Sequence, residues 1–354
     1  MKATVQQKNT QHTWLKVLVG KVDLHSIRLL LSLYIICTLI TIIIAYYFGA
    51  PFVFLFKHVG EALLSVLFYI GFLGIAWDGL LIYLGLIFKF WLRWISYNKG
   101  VSQILSTTKK IRFFSRGVFA LILILISSFI IYGTGNITLI SLQLIGSTTE
   151  WRDSFFWAIE EPAFRWITNL PIDVGAWDML YHSAWPIELF AVFVLILMGR
   201  NLKIVLSYCV SMILLFYVGR FLGVLNPVMG PAFFKPELFT YLSGSVTEIV
   251  MQSVADIMAI EPEQAKERSG ILLGGVSAMP SLHLGMVTLT SFWLALEKRA
   301  TLFITIPWVL LVWISTIVLG WHYIMDGAGG ILLGLICVWL TQRLLQFIKL
   351  EFST

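Results

Sequence analysis

The sequence predicts an all-α, polytopic membrane protein of about eight transmembrane helices. Composition, hydropathy and run length all point there. Hydrophobic residues make up 58% of the 354 residues and charged residues only 12%. A soluble domain sits nearer half apolar and a quarter charged. Mean hydropathy is +0.87. The apolar residues also fall in runs comparable to the ~20 residues that a bilayer core requires. A water-soluble core of this size cannot bury that surplus. Soluble enzymes, disordered chains and disulfide-rich secreted scaffolds are excluded.

The elements follow in chain order. The first 26 residues are polar and basic, with no short apolar core before a small-residue cleavage site. No cleavable signal peptide is expected. A first span fits residues 27–49. A second fits 62–88, as one long tilted helix or a helix with a re-entrant part. It contains Asp78, and an acid inside a span is a functional candidate by default. A third span fits 117–136. The stretch Trp151 to Trp166 is aromatic and charged, with no run long enough to cross. It reads as an interfacial helix, either a headgroup-level connector or a lid over a lipid groove. Further spans fit 184–199, 203–224, 281–296, 301–320 and 325–346. Two parts result: an N-terminal segment with two extra spans and a basic loop over 1–116, and a membrane domain over 117–354. Cys37, Cys209 and Cys337 each sit in an apolar run with no zinc or redox spacing. They read as small apolar residues.

Loop charges set the orientation, because Lys and Arg gather on the cytoplasmic side. Lys89, Arg93, Lys99, Lys109, Lys110, Arg112 and Arg116 follow the second span with no acid among them. The N-terminal stretch and the pairs Arg200–Lys203, Lys298–Arg299 and Arg343–Lys349 fall on that same side if there are eight spans. The long connections 137–183 and 225–280 fall opposite, and both are net acidic. Both termini are therefore expected in the cytoplasm, with the long loops facing periplasm, exterior or lumen. The net charge of +6 is gathered in loops, so no nucleic-acid partner is expected.

Polar groups at span ends carry the chemistry. Ser277-Ala278-Met279-Pro280-Ser281-Leu282-His283 opens the sixth span. Pro280 suits a first helical position. The N–H groups of Ser281, Leu282 and His283 would then form an anion site at the positive end of the helix dipole. Gly274 and Gly275 would let backbone approach a ligand. Taken alone, the stretch also suits a plain helix cap. Gly320-Trp321-His322-Tyr323-Ile324-Met325-Asp326-Gly327 enters the eighth span. His322 and Asp326, four apart, would share a helix face. The carboxylate would fix the imidazole tautomer and leave the other nitrogen free as nucleophile or base. Taken alone, this is equally a His–Asp pair satisfying each other at an interface.

The two elements reinforce one another. About 39 residues separate His283 from His322, enough for one helix down and one back at 1.5 Å per residue. Both histidines are expected at one depth on the outer side. Two histidines, an aspartate and a helix-end anion site suit phosphoryl transfer. One histidine attacks phosphorus, the aspartate orients it, and the other histidine protonates the leaving oxygen. No cluster has metal-ligand spacing, and neither metal nor other cofactor is expected. Arg220 is the first candidate for a phosphate ligand and Lys235 the second. Each also suits a cation snorkelling to the headgroup level. Tyr181-His182, near Asp178 and Glu188, suits packing or a substrate headgroup contact.

Pro280-Ser281-Leu282-His283 is similar to the second motif of the type-2 phosphatidic acid phosphatase superfamily, usually Pro-Ser-Gly-His. Ser315-Thr316-x5-His322-x3-Asp326 resembles its third, usually Ser-Arg-x5-His-x3-Asp. The resemblance covers roughly residues 180–346. It implies a helical membrane enzyme of lipid phosphoesters with His322 as nucleophile, Asp326 as its partner, His283 as general acid and no metal. Leu282 stands in place of the glycine and Thr316 in place of the phosphate-clamping arginine. The first motif, Lys-x6-Arg-Pro, is replaced by Tyr217-Val218-Gly219-Arg220 and a Pro227-to-Pro231 turn. These forms look more like the inositol phosphorylceramide synthase branch. The implied substrate is a phospholipid, sphingolipid or polyprenyl phosphate in the membrane. Headgroup transfer, plain dephosphorylation and, third, lipid binding or transport by a degenerate site stay open, as does the oligomeric state.

Overall fold

The computed structural model describes residues 21–54, 107–147, 151–198, 202–265 and 277–348. Among these residues every regular element is a helix. The predicted second span with Asp78, residues 89–106 of the basic stretch, and Gly274 and Gly275 lie outside the described residues.

Helix α1 (Lys21–Phe48) matches the first predicted span. Leu31, Ile35, Leu39 and Ile43 remain exposed on it. A helix satisfies its own backbone, so such a surface is stable against lipid. Helix α2 (Thr107–Tyr132) begins ahead of the predicted third span. It runs straight through residue 116, where the sequence suggested a boundary between two parts. Gly133 and Thr134 then form a turn, and α3 (Gly135–Ser147) follows. The predicted span at 117–136 thus reaches a break near its end, and α2 and α3 together give one apolar stretch, Phe119–Ile145, long enough to cross a membrane. Tyr217 sits at the break and donates from its hydroxyl to the Ile130 carbonyl at 3.1 Å. A Cβ at Gly133 would lie 2.7 Å from that hydroxyl oxygen.

Helix α4 (Asp153–Thr168) falls where an interfacial helix was expected. Helix α5 (Val174–Met198) starts well before residue 184, so Asp178, Tyr181 and His182 are helical. Helix α6 (Leu202–Leu225) matches its prediction. The outer connection after it is ordered into α7 (Pro231–Phe234), two short 3-10 turns, α8 (Val246–Met258) and α9 (Pro262–Ala265). Helices α10 (Leu282–Glu297), α11 (Leu302–Val318) and α12 (Ile324–Phe347) complete the chain.

Five stretches among the described residues are long and apolar enough to cross a membrane: His25–Phe48, Phe119–Ile145, Lys203–Leu225, Arg299–Val318 and Ile324–Phe347. Helix α6 is central and packs against α2, α3, α10 and α12. Helix α10 is enclosed by α5, α6, α11 and α12. The α10–α12 contact depends on small residues. A Cβ at Gly330 would lie 2.1 Å from the Ser281 carbonyl oxygen, and one at Gly334 would lie 2.7 Å from that of Gly285. Close backbone approach of this kind is how helices gain packing where lipid supplies no hydrophobic drive.

The bundle core is aliphatic, with Leu206, Ile213, Leu215, Leu284, Leu289 and Leu333 inside it. A second, aromatic core caps the end where α10 and α12 begin. It includes Phe156, Trp157, Phe164, Phe239 and Tyr323. Phe164 and Tyr323 are wholly buried and meet edge to face at 5.8 Å. Truncating a buried aromatic costs ~3–5 kcal/mol, so α4 is fastened to the bundle and does not merely lie beside it.

Candidate functional site

Three loops are stitched together beneath this aromatic cap. The turn after α6 meets the approach to α10: Ala278 N–H donates to the Val228 carbonyl, and Val228 N–H donates to Ser277 Oγ at 3.2 Å. The same turn meets the approach to α12, where Ala232 N–H donates to the Gly320 carbonyl at 3.0 Å. Both glycines here need a left-handed backbone, with φ of +114° at Gly230 and +70° at Gly320. A side chain is also excluded at each, since a Cβ at Gly230 would lie 2.5 Å from the Trp321 carbonyl oxygen.

Helix α10 starts at Leu282, two residues after the Pro280 start that the sequence suggested. Ser281 is the N-cap, its hydroxyl accepting from Leu284 N–H at 3.4 Å, and Pro280 precedes the cap. Ser281 N–H is not free for an anion. It donates to the Asp326 carbonyl at 3.0 Å and so locks the start of α10 to the start of α12. No acceptor is found among the described residues for the N–H groups of Leu282 and His283.

His322 and Asp326 do not share a helix face. His322 stands in the turn before α12, held because Thr316 carbonyl accepts from the N–H groups of both Trp321 and His322. Asp326 lies in the first turn of α12, and its Oδ2 accepts from Tyr323 N–H at 2.8 Å. The carboxylate therefore caps its own helix while approaching the imidazole. His322 Nδ1 and Asp326 Oδ2 are 3.6 Å apart, just outside hydrogen-bond range. Both residues are buried, and among the described residues neither His322 Nδ1 nor Asp326 Oδ1 has a hydrogen-bond partner. Catalytic bonds of this kind commonly tighten when substrate arrives.

His283 sits in the first turn of α10, where its Nε2 accepts from Trp185 Nε1–H at 3.2 Å. The Tyr181 ring lies 5.1 Å from that imidazole and stacks on Trp321. His283 and His322 both line one cavity of about 320 Å³. Its polar wall also includes His182, Arg220 and Ser277. Phe216, Phe233 and Met286 supply apolar wall, and Val250, Val254 and Met258 of α8 close another side. The hairpin of α10 and α11 thus returns the two histidines to one place, as their spacing suggested.

Arg220 reaches this cavity from α6. Its guanidinium donates to Thr138 Oγ1 at 2.7 Å and to the Thr134 carbonyl at 3.3 Å, beside the break between α2 and α3. Lys235 is not among the cavity-lining residues. It pairs with Glu237 at 3.9 Å and lies over the Phe234 ring. Thr316 turns its hydroxyl into its own helix, donating to the Trp313 carbonyl at 2.7 Å.

Three buried carboxylates hold the site, and sequence reasoning gave none of them this role. Glu160 of α4 accepts from Ile324 N–H at 2.7 Å and from Met325 N–H at 2.9 Å, the free donors at the start of α12. Asp153 accepts from Met229 and Gly230 N–H, both at 2.9 Å, and from the Tyr323 hydroxyl at 3.2 Å. Burial pushes both carboxyls above the ordinary range, while the backbone donors pull the other way. Asp178 of α5 accepts from Val246 and Thr247 N–H at the start of α8. A signal for the first two was present. Asp153, Phe156, Trp157, Glu160 and Phe164 recur at helical spacing, so two acids share the apolar face of α4.

A membrane protein, helical throughout its described residues, with imidazoles around one cavity and a buried carboxylate behind one of them is the class that this fold and site define. The chain belongs to the PAP2 superfamily, whose family profile matches residues 150–340. The match begins ahead of the motif-bearing stretch and takes in α4. Membership supports a phosphatase-type enzyme of lipids. No curated protein and no solved structure matches the chain.

Proposed function

We propose that this protein transfers a phosphoryl-bearing headgroup of a membrane lipid through a phosphohistidine on His322. The observation that carries the proposal is the convergence of His283, His322 and Arg220 on one cavity walled elsewhere mostly by apolar and aromatic side chains. His322 attacks phosphorus, with Asp326 steadying the imidazolium that forms. His283 gives a proton to the leaving oxygen, and leaves Trp185 to do so, because an indole N–H cannot face a protonated nitrogen. Arg220 and the start of α10, capped by Ser281, bind the phosphate. Lys235, which is not among the cavity-lining residues, meets the phosphate only as substrate approaches. The α8 wall favours transfer over hydrolysis, since a transferase must keep water from its intermediate.

The test incubates purified protein with a panel of phospholipids, polyprenyl phosphate and sphingolipids, with and without polyol or ceramide acceptors, in EDTA. New lipid products are expected by mass spectrometry. Free phosphate regardless of acceptor would make the protein a lipid or polyprenyl phosphate phosphohydrolase. Loss of activity in EDTA with recovery on adding a divalent ion would overturn the imidazole mechanism.

In this reading both termini are cytoplasmic and the cavity opens on the outer side. A cysteine at exposed Ser243 should then react with an impermeant thiol reagent on intact cells, and one at Ser106 should not. Thr247 is a poor site for the same purpose, being buried at the start of α8. Labelling at Ser106 would end the eight-span arrangement.

A further inference from the structure

The cavity holds a third histidine that the two-histidine scheme leaves idle. His182 lines it from α5. Its Nε2 is buried, has no hydrogen-bond partner among the described residues, and lies 3.8 Å from Asp178 Oδ1, four residues earlier on the same helix. Asp178 is itself fixed, because its carboxylate accepts from Val246 N–H at 2.9 Å and Thr247 N–H at 3.2 Å. A fixed carboxylate favours the proton on the facing nitrogen and leaves Nδ1 with the lone pair. His182 and Asp178 are therefore a second oriented His–Asp pair bordering the same space as the first.

His283 is poorly set for the task that remains. An indole N–H only donates, so the Trp185 contact occupies the Nε2 lone pair of His283. Once its Nε2 proton has gone to the leaving oxygen, His283 closes on Trp185 again, and neutral in that contact it carries its remaining proton on Nδ1 and offers no lone pair. His322 is the phosphorylated group. Of the imidazoles along the cavity wall, that leaves His182.

We infer that His182, oriented by Asp178, is the base that takes the proton of the attacking hydroxyl in the second half of the reaction. This rests on the phosphohistidine reading above. The attacking group is water or an alcohol. Its oxygen forms a bond to phosphorus, while the bond from phosphorus to the His322 nitrogen breaks and its electron pair returns to that ring. The hydroxyl proton passes to His182 Nδ1, and the Nε2–H of the resulting imidazolium faces Asp178. No oxidant, reductant or further reactant is required.

The experiment follows the two halves separately by rapid quench, using radiolabelled short-chain phosphatidic acid in mixed micelles. In His182→Asn the phosphoenzyme should form at close to the unaltered rate and then accumulate. Its breakdown should slow by ~10²–10⁴, the usual loss of a general base. Hydroxylamine attacks through an uncharged nitrogen and needs no base to begin, so it should discharge that phosphoenzyme at close to the unaltered rate. His182→Gln should behave alike, and normal formation in either variant shows that the fold has survived. A histidine that merely packs would slow both halves together and gain nothing from hydroxylamine, which would overturn the inference alone. Unchanged breakdown in both variants would do the same. No phosphoenzyme in the unaltered protein or in any variant would overturn the phosphohistidine reading, and this inference with it.

Discussion

Replacing His322 with alanine is expected to abolish turnover of every substrate, whatever its leaving group. His283→Ala is expected to lose ~10²–10⁴ with a lipid substrate and to recover most of it with a nitrophenyl phosphoester. The difference follows from what each imidazole supplies. In the proposed scheme His322 supplies the nitrogen that bonds phosphorus, and no choice of leaving group replaces it. In the same scheme His283 supplies a proton, and nitrophenolate departs without one. An acid-labile phosphoenzyme should be trapped in His283→Ala and be missing from His322→Ala. Asp326→Asn should resemble a milder His322→Ala. An asparagine oxygen can still accept from Tyr323 N–H and cap α12, so the fold should survive the change. That same oxygen faces His322 Nδ1, so the variant keeps an acceptor there and loses only the negative charge that would steady the imidazolium. Equal rescue of the two histidine variants, or a phosphoenzyme that persists without His322, would mean that the roles are exchanged.

Much of this site was legible because its logic is one of spacing. Two histidines separated by a helical hairpin had to return to one level, and they line one cavity. The close approach of α10 and α12, with Gly330 against Ser281, keeps them there. The local forms were harder to read. Spacing of four residues implied a shared helix face for His322 and Asp326, yet α12 begins between them. The side chain of Asp326 is needed to close that helix, and a capping residue forces the chain before it out of the helical path. Pro280 likewise fitted a first helical position on propensity. Ser281 took the cap because its hydroxyl can accept from Leu284 N–H.

The carboxylates of α4 and α5 were hidden for another reason. Glu160 bonds backbone donors 164 and 165 residues away. Every residue but proline carries such a donor, so no pattern of side chains announces the partnership. Asp178 was visible only as a neighbour of His182, while its bonds to the start of α8 depend on how a long outer connection folds back. Arg220 was expected at phosphate. It does border the cavity, but it also satisfies the Thr134 carbonyl at a helix break that hydropathy alone smoothed into one span.

Glu160 gives the sharpest test of how α4 serves the reaction. Its two oxygens hold the first two N–H groups of α12, immediately before Met325 passes the chain to Asp326. Glu160→Gln keeps the size but turns an amide donor toward one of those donors and removes the charge that suits a helix N-terminus. A hydrogen bond to a charged group contributes ~1.5–3 kcal/mol. If that sum is felt at the transition state, kcat falls roughly 10–100-fold. KM should change little, because Glu160 is not among the residues lining the cavity. The leaving-group test then shows which histidine the change reaches. Glu160 acts through α12, hence through Asp326 and His322, so a nitrophenyl substrate should not rescue Glu160→Gln. Glu161→Gln, one residue along on the exposed side and paired only with Arg165, should leave the rates unaltered. Rescue of Glu160→Gln by the good leaving group would place its effect on His283 and α10 instead. A fall in KM and kcat together with loss of thermal stability would reduce α4 to a structural strap.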